Sequence, residues 1–187
     1  MKIAFVIVVV IVMILLSTAW LRQRADASES TESVDTTAVD LFHTLDGVDL
    51  IIALQERVAL RESEVGFDGL SEPERVFLCV QDVESEVNNG GFLQYFYNSS
   101  GNRALFASRS FETIGASHTA GIVKRACAVF PNGEPPSDRT EREELLERIE
   151  EQIEDVLSEL DDAFYEYNDD LENLVLTYVK KHQADFK

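Results

Sequence analysis

An all-α fold is predicted, a compact multi-helix domain over residues 45–183, and three observations predict it. Apolar residues recur at spacings of three and four through this span, and no stretch sustains a period of two. Helix starts carry capping residues. Helix stops carry Gly, Asn or Pro. Ahead of the domain the sequence predicts an N-terminal transmembrane helix or signal-like segment at 1–24 and a disordered acidic, Ser/Thr-rich tether at 25–44.

The first segment has no charged residue from Ile3 to Trp20, 18 residues, the lower end of what spans a bilayer. Trp20 stands where an interfacial aromatic belongs. The triplets Ser17-Thr18-Ala19 and Ala25-Asp26-Ala27 supply the alternative of a cleaved signal peptide. The first would cut almost inside the apolar run and the second lies beyond Arg22 and Arg24, so an uncleaved anchor is favoured. The expected localisation is therefore a single-pass membrane protein. Lys2 on one side and two arginines on the other leave the side of the domain undetermined. The tether, rich in Ser, Thr, Asp and Glu without an aromatic residue, cannot form a core of its own.

Within the domain Val48, Ile51, Ile52 and Val58 mark a first amphipathic helix. Ser71 with Glu74 makes a capping box, and Pro73 sits in the first turn, where a missing N–H is harmless. Val76, Val80, Val83 and Val87 form the stripe of that helix, which Asn88-Asn89-Gly90-Gly91 ends. Phe92, Tyr95 and Phe96 share one face of a short aromatic helix, broken by Ser99-Ser100-Gly101-Asn102. Two further stripes follow, one closed by Gly115 and one by Pro131, and residues 131–138 form a linker. A long helix begins near Asp138 with Leu146, Ile149, Ile153, Val156 and Leu160 as a narrow core seam. Asn168-Asp169-Asp170 reads as a turn and cap before a last helix faced by Leu171, Leu174, Val175, Tyr178 and Val179.

Hydrophobic residues make up 45% of the 187, enough for a real core, and the formal net charge is -19. That balance repels nucleic acid and anionic lipid and attracts basic surfaces. Cys79 and Cys127, outside any Cys-x-x-Cys pair, read as buried free thiols. Of the histidines, His43, His118 and His182, none is paired at helical spacing with another ligand. No phosphate loop, nucleophile elbow or zinc-protease motif is present. The expectation is no catalytic residue, no metal site and no cofactor.

Two features stand out. The first is a corner made of Glu86, Asn88, Asn89, Gly90, Gly91, Gln94, Tyr95 and Asn98, where amides alternate with large aromatics. It reads either as a buried hydrogen-bonded corner fixing two helices or as a small polar pocket, with Glu86 expected to accept from N–H groups of the turn. The second is the acidic helix. From Glu141 to Asp162 eleven acids lie on 22 residues, about one charge per 3 Å against about one per 1.7 Å in duplex DNA. Glu143, Glu147, Glu150, Glu151, Glu154 and Asp155 are the candidate binding face, with Arg142 and Arg148 expected to dilute it.

The run EVNNGGFLQYFYNS, Glu86 to Ser99, resembles the signature of a bacterial family of otherwise unknown function represented by a DNA-mimic protein. The resemblance continues through Ile114-Gly115-Ala116, residues 126–131, Leu160-Asp161 with Phe164, and Tyr178, and covers roughly 45–183. It implies an all-α fold and, for the named member, protein binding through an acidic surface, with no catalytic residues. The N-terminal apolar segment departs from that pattern.

Two functions follow as expectations. One is a non-enzymatic acidic interaction module that mimics nucleic-acid charge to bind a basic surface, that of a DNA-binding protein included. It would make no direct contact with nucleic acid and would meet the membrane only through its N-terminal helix. The other is a membrane-tethered structural or ligand-sensing domain using the Asn-Asn-Gly-Gly corner as a polar pocket.

Overall fold

The structure, a computed structural model, describes residues 38–187. The anchor expected at 1–24 and the tether residues 25–37 lie outside the described residues. The described residues are all-helical. In chain order they form α1 (Ala38–Thr44), α2 (Gly47–Val65), α3 (Glu72–Tyr97), α4 (Ala104–Ile114), α5 (Ser117–Cys127), α6 (Arg139–Tyr165) and α7 (Leu171–Lys181), with short 3-10 turns between several of them. Among the described residues no helix is long and apolar enough to cross a membrane.

The central element is α3, which packs most extensively on α6 and also on α4. Its start is the predicted one. The Ser71 side chain accepts from Glu74 N–H and the Glu74 carboxylate accepts from Ser71 N–H, with Pro73 in the first turn. Glu74 does more than cap. It is fully buried, lies 3.3 Å from the Arg61 guanidinium, and accepts from Lys187 N–H at 3.0 Å. One buried carboxylate thus ties α2, α3 and the C-terminus together.

The ends of the domain reach further than 45–183. Residues 38–44, expected as tether, form α1, whose Ala38 is buried. Phe186 is buried with its ring edge-on to Phe42 of α1 and Phe77 of α3, 5.8 Å from each. Phe186 has too few apolar neighbours in sequence to signal a packed segment, and Leu41, Phe42 and Leu45 pack on a core that Phe186 completes.

Two predicted stripes shift. On α2 the buried residues are Leu50, Ile51, Leu54 and Val58, while Val48 and Ile52 are each 50% exposed. On α6 the buried line is Leu146, Ile153, Leu157, Leu160 and Phe164, with Ile149 only partly buried and Val156 43% exposed. A seam with a strict seven-residue repeat drifts around a straight helix by about 20° per heptad, so burial passes from Val156 to Leu157.

Cys79 and Cys127 are buried and unpaired. Burial pushes both thiols up to about 12, so neither supplies thiolate at neutral pH. Neither cysteine should react with iodoacetamide in the folded protein, and both should react in denaturant. Mass spectrometry of alkylated protein reads this directly, and rapid native labelling of either thiol would contradict it.

Candidate functional site

The corner is a kink inside α3. Gly90 has φ −165 and ψ 23, Gly91 has φ 77 and ψ −179, and helical geometry resumes after them. Gly91 occupies a backbone region essentially closed to other residues. A Cβ there would collide with the Asp161 carboxylate. That carboxylate comes from α6 and accepts from Phe92 N–H at 2.8 Å, so it caps the second half of α3 from 69 positions away.

The sequence predicts that Glu86 accepts from the turn's N–H groups, and the structure corrects this. Its Oε2 accepts from the carboxamides of Gln94 at 2.7 Å and Asn98 at 2.8 Å, and its Oε1 from the Ser100 hydroxyl at 3.1 Å. Side-chain donors win because the helix preceding the kink holds Glu86 opposite the next turn of chain. The other corner residues separate. Asn88 points away and donates to the Tyr167 hydroxyl at 2.6 Å, Asn89 is exposed, and the Tyr95 ring lies in the core beside Phe96. Asn89→Ala should therefore change stability by less than about 0.5 kcal/mol. Glu86→Ala strands the half-buried Gln94 and Asn98 carboxamides and the buried Ser100 hydroxyl and should cost about 1–3 kcal/mol. Urea melts of both variants test the ranking, and an equal loss in the two would remove Glu86 as the organiser.

Sequence reasoning missed the residue that closes the corner. Arg142, expected to dilute surface charge, is fully buried. Its Nε donates to Phe96 O at 2.6 Å, its Nη1 to Pro136 O at 2.7 Å, and its Nη2 to Asn98 O and Asn102 Oδ1, both at 2.8 Å. The guanidinium thus satisfies the carbonyls at the C-terminal end of α3, where a cation also suits the helix dipole. Burial lowers its pKa. Only its place one turn before Leu146 on the buried stripe could have signalled this.

The acidic candidates divide on α6. Glu143 is half-buried and pairs with Arg139 at 2.7 Å. Glu150 is half-buried and accepts from the Tyr97 hydroxyl at 2.8 Å. Burial, then the carboxylates of Glu150, Glu147 and Glu143, push that hydroxyl up to about 12. Glu147, Glu151, Glu154 and Asp155 are exposed and make no ion pair or hydrogen bond among the described residues. At 3.6 residues per turn these four fall within an arc of about 100° facing away from the Leu146-to-Phe164 stripe. Glu144 and Asp162, also exposed, extend the same arc.

The sequence model of a family described as DMP19-like protein matches residues 68–182. No curated protein and no solved structure matches the chain.

Proposed function

The chain belongs to the DMP19-like protein family, and on that premise we propose that it is a non-enzymatic acidic module that binds a basic protein surface through the outer face of α6. The partner is of the kind that otherwise holds DNA. The observation that carries the reading is the arc of Glu147, Glu151, Glu154 and Asp155, exposed and in no ion pair among the described residues. Carboxylates three and four apart on one helix repel one another by a few tenths of a kcal/mol per pair. They do nothing for folding, and they raise the encounter rate with a cationic surface. In the same proposal the apolar segment from Ile3 to Trp20 holds the module at a membrane. The alternative, a polar pocket at the Asn-Asn-Gly-Gly corner, is less favoured, because the Glu86 carboxylate is already engaged by Gln94, Asn98 and Ser100.

The test is crosslinked capture of partners by the full chain from its own cells, at two salt concentrations and with duplex DNA as competitor. The expected partner is basic, is lost as salt rises and is displaced by DNA. Reversing Glu147, Glu151, Glu154 and Asp155 to lysine should abolish its capture while leaving the thermal melt in place. Unchanged capture by the reversed chain, or no displacement by DNA, refutes the reading.

A further inference from the structure

A groove of about 340 Å³ opens between α2, α3 and α7, on a part of the domain that the α6 reading does not use. Its construction is regular. Polar residues of α3 line it at i, i+3, i+4 and i+7, starting at Gln81 and ending at Asn88. That stripe lies on a different side of α3 from the valine stripe that enters the core. Opposite stand Val48 and Ile52 of α2, two of the apolar residues that the core leaves half exposed. Glu172, in the first turn of α7, completes the wall.

Three properties identify what fits there. Gln81 is only 8% exposed, lines the groove, and its carboxamide makes no hydrogen bond among the described residues. Among the described residues the buried side-chain atoms without a partner are Arg75 Nε and Arg103 Nε, so the Gln81 amide is not sealed in the core but opens on the groove, where a ligand could reach it. Beside it Glu84 uses one oxygen to accept from the Tyr167 hydroxyl at 3.2 Å, and the other makes no hydrogen bond among the described residues. Burial raises the Glu84 pKa, the Tyr167 bond opposes this, and Glu172 adds to it, so the carboxylate lacks a counter-charge. No Lys, Arg or His lines the groove. The site therefore offers two carboxylates, an amide oxygen and an apolar wall.

We propose that this groove binds an arginine side chain presented by a protein partner, with the alkyl stem on Val48 and Ile52 and the guanidinium between Gln81, Glu84 and Glu172. Arginine fits better than lysine. Its planar fork can donate to a carboxylate and an amide oxygen together, and it is more weakly hydrated than an ammonium. The size is at the lower end of ligand pockets, room for one long side chain and not for a helix. The proposal does not rest on the α6 face, and Gln81 and Glu84 can be changed without touching it.

The probe is the blocked tripeptide acetyl-Ala-Arg-Ala-amide, titrated into the isotope-labelled full chain in detergent micelles and followed by NMR at the Gln81 side-chain amide. The citrulline and lysine tripeptides and free arginine serve as controls. The arginine tripeptide should shift the Gln81 amide and bind at least about tenfold more tightly than the citrulline one, which lacks the charge. Glu84→Gln should weaken it by a similar factor. Gln81→Leu, followed at the backbone amides of residues 81–88 because the side-chain reporter is gone, should leave the melting temperature in place and weaken binding. No localised shift, or equal binding of arginine and citrulline tripeptides, overturns the proposal. Equal binding of lysine overturns the assignment to a guanidinium. Tighter binding of free arginine than of the tripeptide overturns the protein source. The comparisons among peptides use the unaltered chain and hold even if a variant fails to fold.

Discussion

Arg142→Ala should lower the melting temperature of the domain by about 6 °C or more. The side chain is fully buried and donates to three backbone carbonyls and the Asn102 side chain. Each buried acceptor left without a donor costs about 1–3 kcal/mol. Even with water relieving some of them, the loss should exceed about 3 kcal/mol. In a domain of this size 1 kcal/mol corresponds to about 2–4 °C. Arg142→Lys should rescue little, because one ammonium cannot reach carbonyls of Phe96, Asn98 and Pro136 at once. The surroundings leave no space for rearrangement either. A Cβ on Gly101 would stand 2.9 Å from the guanidinium Nε and 2.8 Å from Tyr95 O. Calorimetry of both variants checks this. A lysine variant within about 1 kcal/mol of the parent would show that charge alone suffices there.

Gly91→Ala is expected to have a comparable effect, by a different route. Its φ of 77 with ψ −179 is a region essentially reserved for glycine, and holding another residue in it costs about 1–3 kcal/mol. The added methyl also meets the Asp161 carboxylate that caps Phe92 N–H. Loss of a cap costs about 0.5–2 kcal/mol. Because strain and cap share Asp161, Gly91→Ala and Asp161→Ala should not be additive. The double variant should be less destabilised than the sum of the singles. Gly90→Ala is the control. Its φ of −165 is open to any residue, and its Cβ would meet the Gln94 side chain, which can turn away at the cost of its bond to Glu86. If Gly90→Ala costs as much as Gly91→Ala in a denaturant melt, backbone geometry is not the reason for the glycine pair.

The candidate site was legible in part. Glu86, Gln94 and Asn98 do form one network, and the glycines do mark a break. Asn89 and Tyr95 were grouped with them only by proximity in sequence, and the helix turns them to solvent and to the core. On α6 the outward position of Glu147, Glu151, Glu154 and Asp155 follows from helical period and the buried stripe. That Glu143 and Glu150 are engaged does not, since Arg139 must swing toward one and Tyr97 must arrive from α3 for the other.

By itself the sequence determined where several of the helices begin or end. Ser71 with Glu74, Asp138, Asp170 and the left-handed Gly115 each act within four residues of their own position, and each does so in the structure. Local rules suffice for local hydrogen bonds. Tertiary structure alone decided the role of every residue whose partner is distant. Arg142 finds Phe96 and Asn98 more than 40 positions away, Asp161 finds Phe92, Glu74 finds Lys187, and Val48 and Ile52 meet α3 and α7 across a groove. A charged residue reads as exposed until something distant satisfies it, and an apolar one as core until its helix turns it elsewhere. In both cases the deciding free energy belongs to a contact that no neighbouring residue makes.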